Sequence, residues 1–182
     1  GALMNADWLA RVTEEIIGPE RPICDPHHHL WDNAQNPYLL PELLADVNSG
    51  HNVVSTVFVE CSSMYRQDGP ESMSPVGETE FVNGVAAMTA SGNYGDFRAC
   101  KGIVSYADLT LGADVGAVLD EHMRFSDRFR GIRHAAGWDP SDSVRNSHTN
   151  PPEHLFLDES FRQGFQELAN RGLSFDAWCY HN

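Results

Sequence analysis

The chain has 182 residues, 41% of them hydrophobic, which is typical of one globular domain and excludes a disordered or collagen-like chain. Twelve Lys and Arg residues against 26 Asp and Glu residues give a formal net charge of −14, and such a surface repels nucleic-acid phosphates and anionic lipid headgroups. No apolar run approaches the ~20 residues of a membrane helix, and residues 1–7 lack the pattern of a secretory signal, so we expect a cytoplasmic protein.

Strand-like and helix-like segments alternate along the chain. Short runs rich in β-branched and aromatic residues predict strands at residues 22–25, 53–61, 100–106, 129–136 and 173–181. Apolar residues at helical spacing predict helices at residues 39–47, 78–90, from 114 onward and at 158–172. Asp158 is the expected cap of the last helix, and Gly172 is its expected stop. This alternation predicts right-handed βαβ units and a parallel sheet.

The loops that follow the predicted strands are longer than those that follow the helices. Residues 62–77 and 137–157 follow the second and fourth strands, whereas residues 49–52 lead from a helix to a strand. Long loops at the carboxyl ends of parallel strands are where barrel enzymes build their sites. We therefore expect an α/β fold of the (β/α)8 TIM-barrel type, with about the first four and a half βα units in this chain.

The domain prediction follows from the number of strands. A closed eight-unit barrel typically needs about 250 residues, and the fifth predicted strand is the last element of this sequence. A buried parallel strand in that position would leave an unpaired edge. We predict that residues 1–182 are the amino-terminal part of one barrel domain, with residues 1–21 as an N-terminal extension. The alternative is a smaller, open sheet.

The most distinctive motif is the run Asp25-Pro26-His27-His28-His29, directly after the first strand. Residues two apart in an extended chain point to the same side, so we expect His27 and His29 to share a side and His28 to face away. Two imidazoles on one side form half of a site for zinc. A polar loop with three solvated histidines is the competing interpretation.

Other polar residues stand on or after the predicted strands. Glu60 ends the second strand, Arg133 and His134 lie on the fourth, and His181 lies near the end of the fifth. Because a parallel barrel brings its strand ends together, these residues are candidates for one site, with His181 as a third nitrogen ligand. Arg133 and His134 point to opposite sides of a strand, so only one faces the site, and the sequence does not say which.

Aromatic and basic residues near these strand ends are candidates for substrate contacts. Tyr65 and Arg66 lie in the loop after the second strand, Trp138 in the loop after the fourth, and Trp31 shortly after the histidines. A tryptophan face beside the site could stack on a ring-shaped substrate. Packing at the rim and a place in a surface loop are the structural alternatives for these residues.

Three segments together resemble the amidohydrolase superfamily. They are residues 23–32 with the H-x-H pair, the run Gly-Ile-Arg-His at residues 131–134, and the strand at residues 175–181. The resemblance covers most of the chain and is closest to the amino-terminal half of the amidohydrolase-related (amidohydrolase 2) branch of predicted metal-dependent TIM-barrel hydrolases, which includes sugar lactonases and decarboxylases. It implies that His27 and His29 match the first-strand metal ligands and that His181 matches the fifth-strand histidine.

The resemblance also implies an activity. A divalent metal, zinc first and manganese second, would activate water for attack on a lactone or a related carbonyl carbon; some members of the branch work without a metal. The candidate catalytic residues are Glu60, Arg133 and His134. Glu60 would orient water or hydroxyl groups, and Arg133 would bind a carboxylate or a hydroxyl-rich substrate.

Two other functions stay open at this point. An enzyme on the same scaffold could decarboxylate a small aromatic or unsaturated acid, and a non-catalytic barrel fragment could instead assemble with a partner. The partner expected for an enzyme is a small molecule, anionic or polyhydroxylated. Nucleic acids and membranes are not expected as partners, and a homo-oligomer is left open.

Overall fold

The computed structural model describes residues 15–137, 140–141 and 149–178. The strands are β1 (Ile23–His28), β2 (Val53–Val59), β3 (Arg98–Ser105), β4 (Phe129–Ala135) and β5 (Ser174–Trp178). The α-helices of this part are α1 (Leu40–Val47), α2 (Val76–Ala90), α3 (Val115–Phe125) and α4 (Glu159–Asn170). Short 3-10 helices that the sequence did not predict lie in the loops after the strands, at Glu71–Met73, Leu109–Asp114 and Leu155–Leu157. Within the described ranges, no helix combines the length and apolar character that crossing a membrane requires.

All five strands pair in parallel, in the order β1-β2-β3-β4-β5. The sheet curls, but β1 and β5 are both edge strands in the described part of the chain, so the sheet is open. The prediction of a (β/α)8 TIM barrel is therefore wrong for this chain, because a ring that needs eight strands does not close with five. The described residues form a five-stranded parallel sheet with two open edges.

Capping side chains begin two of the helices, and a glycine follows the end of α4. The Asp158 side chain accepts a hydrogen bond of 2.9 Å from the backbone N–H of Phe161 and caps α4. Gly172 follows α4 with φ +65°, a left-handed conformation that favours glycine. At the start of α1, the Glu42 carboxylate accepts a hydrogen bond of 2.9 Å from the N–H of Leu39. The predicted cap and stop of α4 are thus present.

The apolar side chains form two clusters that pack helices against the sheet. One cluster joins α1 and α2 to β2 and β3 and includes Phe58 and Val82. The other joins α3 and α4 to β4 and includes Leu119, Ile132 and Phe161. Apolar side chains therefore fill most of the helix-packed face of the sheet.

A buried polar network joins α2, α3 and β3. The ring of His122 is fully buried; its Nε2 lies 2.9 Å from the carbonyl oxygen of Tyr106 and its Nδ1 lies 2.8 Å from Thr79 Oγ1. Because the carbonyl accepts, Nε2 donates, and Nδ1 accepts from the Thr79 hydroxyl, which in turn accepts from Ser105 Oγ at 2.5 Å. Both ring nitrogens are satisfied, and burial lowers the pKa of His122 to about 4.

Gly164 of α4 packs so closely on Leu109 that no side chain fits. A Cβ at this position would lie well inside the contact distance of the Leu109 carbonyl group. We expect Gly164→Ala to lower the free energy of unfolding by about 2 kcal/mol or more, because the helix must move away from the backbone beneath it. Urea denaturation of both proteins measures the difference.

Gly84 of α2 offers a matched control, because a Cβ there meets nothing within 4 Å. Gly84→Ala should raise the free energy of unfolding by about 0.5–1 kcal/mol, since alanine has the higher helix propensity. Equal effects of the two substitutions would contradict the close packing of α4 on Leu109.

Candidate functional site

The rings of His27 and His29 meet at the carboxyl end of β1. Their Nε2 atoms are 3.3 Å apart, and their ring centroids are 4.9 Å apart with the planes at 85°. The Nδ1 atom of His29 lies 2.6 Å from the carbonyl oxygen of Val59 at the end of β2. Because the carbonyl accepts, neutral His29 carries its hydrogen on Nδ1 and a lone pair on Nε2. The two rings share a side, as the alternation along the strand predicts.

His28 faces the opposite way, into the core. Its Nε2 atom lies 2.8 Å from Thr56 Oγ1, and its ring packs edge-to-face on Phe58 with centroids 6.0 Å apart. Burial lowers the pKa of His28 to about 4, so the ring is neutral at neutral pH. The competing interpretation, a polar loop with three solvated histidines, is therefore wrong for this segment.

His29 is also kept neutral by its surroundings. Burial lowers its pKa, the hydrogen bond to Val59 opposes this effect, and the positive charge of Arg133 lowers the pKa further. A neutral imidazole is the form that binds a metal ion. His29 thus presents an unprotonated Nε2 toward His27 at neutral pH.

Arg133 and Glu60 form a buried ion pair on the same side as these histidines. Arg133 Nε donates to Glu60 Oε1 at 2.9 Å, and Nη2 donates to the Glu60 carbonyl oxygen at 2.7 Å. The side chains are 15% and 2% exposed. Arg133 thus reaches from β4 past β3 to the end of β2, and its guanidinium lies 6.0 Å from the Trp178 ring of β5. Two contacts to one partner fix the direction of the guanidinium.

His134 lies on the opposite face of β4 from Arg133. Its ring is buried, packs edge-to-face on Phe161 of α4 at 5.2 Å, and lies 5.3 Å from the ring of Tyr106. Neighbouring residues of a strand alternate between faces, and packing against α4 decides which face His134 takes. The structure does not bring His134 to the histidine pair, so its placement does not support the predicted catalytic role.

We call the side chains at these strand ends the strand-end row: His27, His29, Glu60, Arg133 and Trp178. Within the described ranges, no three His, Cys, Asp or Glu side chains converge in a group that could hold a metal ion. The histidine pair nevertheless fits part of such a site, because two nitrogens each about 2.1 Å from a tetrahedral ion lie about 3.4 Å apart, close to the observed 3.3 Å. The same geometry also fits a hydrogen bond between the two rings.

Tyr65 and Arg66, both predicted to contact substrate, have different surroundings. Burial raises the pKa of Tyr65, and the charges of Glu78 and Glu60 raise it further, so the phenol lies within electrostatic reach of the strand-end row. Arg66 Nη2 instead forms an ion pair of 2.6 Å with Glu80 of α2. The guanidinium of Arg66 is engaged with the helices, and its placement gives no support to substrate binding.

The predicted tryptophan contacts also receive no support from the structure. Trp31 Nε1 donates a hydrogen bond of 2.7 Å to the carbonyl of Asn36, and its ring lies 5.5 Å from that of Tyr38. These contacts fix Trp31 within its own loop. Trp138 and the predicted third metal ligand, His181, lie outside the described residues.

Glu78 is a buried carboxyl near this row that the sequence reasoning missed. Its Oε2 atom, in the first turn of α2, accepts hydrogen bonds from the backbone N–H groups of Ser63 at 2.6 Å and Cys61 at 3.2 Å. Burial raises the pKa of Glu78 to about 8, and these two hydrogen bonds oppose the rise. Glu78 therefore holds the loop that follows β2. Its position four residues before the buried Val82, on the apolar stripe of α2, is the signal that could have identified it.

Glu78 should make the free energy of unfolding depend on pH. Its pKa is about 8 in the folded chain and about 4.3 in an unfolded one. Between these values the folded chain holds a proton that the unfolded chain has lost, so stability falls as pH rises. We expect the free energy of unfolding of the wild type, minus that of Glu78→Gln, to fall by roughly 1.4 kcal/mol per pH unit between about pH 5 and about pH 7.5 in urea denaturation.

Glu71→Gln is the control for this comparison, because Glu71 is exposed. Its difference from the wild type should stay constant over the same pH range. If the Glu78→Gln difference is as constant as that of the control, the Glu78 carboxyl is ionised in the folded protein and the raised pKa is wrong.

Comparison with known proteins finds a similar sequence but gives no function. The chain is 34% identical over 181 aligned positions to the uncharacterized protein y4mH of Sinorhizobium fredii (strain NBRC 101917 / NGR234). The match covers 87% of this chain and 54% of the relative, so the chain spans about half the length of the curated relative that it matches. No protein-family model matches the chain, and no solved structure matches it.

Proposed function

We propose that the protein is a metal-dependent hydrolase that acts on a small cyclic ester, or on a related carbonyl substrate, at the strand-end row. The observation that carries the proposal is the 3.3 Å distance between the Nε2 atoms of His27 and His29. The resemblance of the H-x-H segment to the amidohydrolase superfamily supports the same function. The cytoplasmic location expected from the sequence is part of this proposal.

His27 and His29 would hold the metal ion, with His181 as the third ligand of the proposal. The Val59 carbonyl orients His29 by accepting from Nδ1, which is the usual support of a metal-binding imidazole. When bound, a divalent ion such as zinc, or manganese as the second choice, supplies a Lewis acid that lowers the pKa of water to about 7. The neutral state of His29 suits this role without loss of a proton.

Arg133 would bind an anionic or hydroxyl-rich substrate beside the histidines. Glu60 holds the Nε and Nη2 atoms of the guanidinium, so a substrate carboxylate would approach Nη1. The Arg133–Glu60 pair carries no net charge, so the guanidinium would attract such a substrate through the directed N–H groups of Nη1. Glu60 acts in the proposal as a positioning residue, and the Trp178 ring forms a wall beside the guanidinium.

Metal content is the direct test of the histidine pair. Protein purified without chelators should contain close to one equivalent of zinc or manganese by elemental analysis, and His27→Ala and His29→Ala should each lose most of it, because each removes one nitrogen ligand. His51→Ala removes an exposed histidine outside the row and should keep the metal. Equal metal content in all four proteins would contradict the ligand assignment.

Product analysis tests the reaction itself. We expect acid release from a panel of aldonolactones, followed in a pH-stat, and a decrease of about tenfold or more in kcat/KM for these hydroxyl-rich substrates in Arg133→Gln. Release of carbon dioxide from small aromatic or unsaturated acids, without lactone hydrolysis, would identify a decarboxylase instead. A metal-loaded protein with neither activity would overturn the enzymatic proposal.

A further inference from the structure

A cavity lies on the helix-packed face of β4, on the other side of the strand from Arg133. Its volume is about 190 Å³, which is room for about six water molecules. The lining includes polar groups of His134 and Asp108 and the apolar surfaces of Tyr106, Pro151 and Leu155. A cavity of this size suits a small ligand rather than a cofactor, since typical ligand pockets begin at about 300 Å³.

In this cavity, His134 and Asp108 each contribute one hydrogen-bond acceptor, and the two acceptor atoms, Nε2 and Oδ1, face each other. His134 Nδ1 lies 3.1 Å from the carbonyl oxygen of Ala135, so the hydrogen of the neutral ring sits on Nδ1 and a lone pair on Nε2. Nε2 is buried and has no hydrogen-bond partner in the described part of the chain. It lies 3.8 Å from Asp108 Oδ1, which is too far for a direct hydrogen bond. A donor between these two atoms would satisfy both.

The Asp108 carboxylate gives this pair of acceptors a negative charge. Its Oδ1 accepts hydrogen bonds from the Thr110 N–H at 3.0 Å and from the Thr110 hydroxyl at 2.5 Å. Hydrogen bonds of this kind favour the ionised form of a carboxyl group. The ring of Tyr106, 5.3 Å from the ring of His134, adds an aromatic wall that attracts cations.

We propose that this cavity binds a small organic ammonium ion. The N–H groups of the ligand bridge His134 Nε2 and Asp108 Oδ1, and its alkyl part lies against Tyr106, Pro151 and Leu155. A single alcohol O–H satisfies only one of the two acceptors, and an anion is repelled by Asp108. The formal net charge of −14 raises the concentration of cations near the protein surface.

This proposal does not rest on the proposed hydrolase function. His134 packs against Phe161 of α4, whereas Arg133, the next residue toward the amino terminus, faces Glu60 in the strand-end row. Loss of metal or of hydrolase activity in variants of His27 therefore says nothing about the ammonium cavity, and the two proposals are tested separately.

The test is a calorimetric titration of the full chain with n-butylammonium chloride, at about pH 8 and with EDTA present to remove metal ions. We expect saturable binding at least about tenfold tighter than that of n-butanol, the neutral isostere, because only the ammonium has both the charge and several donors. Sodium butyrate should show no saturable binding. Equal affinity for the ammonium and the alcohol would overturn the proposal.

Three variants test whether n-butylammonium binds in this cavity. Asp108→Asn keeps the shape and a hydrogen-bonding oxygen but removes the charge, and it should weaken n-butylammonium binding by about tenfold or more. His134→Phe keeps an aromatic ring against Phe161, removes Nε2, and should also weaken binding. Glu153→Gln removes a carboxylate that is 54% exposed and should leave the affinity within about twofold of the wild type.

If these variants do not fold, NMR chemical-shift changes of the wild-type protein during the titration test the proposal instead. The amide resonances that move on titration should be those of residues around the cavity, including Tyr106, Asp108 and His134. Shifts confined to another part of the chain, unchanged binding in Asp108→Asn, or no saturable binding would each overturn the proposal.

Discussion

Parallel pairing of the five strands is the constraint on which both candidate sites depend, because it places the carboxyl ends of all strands at one edge of the sheet. His29, Glu60 and Trp178 come from distant parts of the chain and meet only at this edge. The carbonyl of Val59, which ends β2, is then available to orient the ring of His29. A slip of β1 by one residue would turn His28, instead of its neighbours, toward the row, so the register decides which imidazoles meet.

Buried ionisable groups near this edge are stabilised in different ways. Glu60 is paired with Arg133, whose guanidinium contacts both its carboxylate and its carbonyl. Glu78 receives only neutral donors, two backbone N–H groups and the Cys61 thiol, and it takes up a proton below about pH 8 because burial disfavours its charge. Such groups cost free energy of folding wherever they are buried. Several buried ionisable groups lie close together beside the histidine pair. Such clusters occur in functional sites and also in structural ion-pair networks.

The two faces of β4 present different chemistry at neighbouring positions. Arg133 offers a fixed cation on the side of the histidines, whereas His134 offers a lone pair beside the carboxylate of Asp108 on the side of α4. The first arrangement suits anionic or hydroxylated substrates, and the second suits a cation. Because both residues sit on one strand held on either side by β3 and β5, their positions are fixed relative to each other.

The sequence by itself determined the local features of the fold: the alternating strands and helices, the cap at Asp158, and the shared side of His27 and His29. These depend on spacing and on backbone geometry over a few residues, which the sequence displays directly. It did not determine whether the sheet closes, and the eight-stranded expectation failed because closure depends on strand number and curvature across the whole domain. It also left open which of Arg133 and His134 faces the row. Alternation puts them on opposite faces, but only the packing of α4 against one face of β4 decides which residue is buried and which meets Glu60.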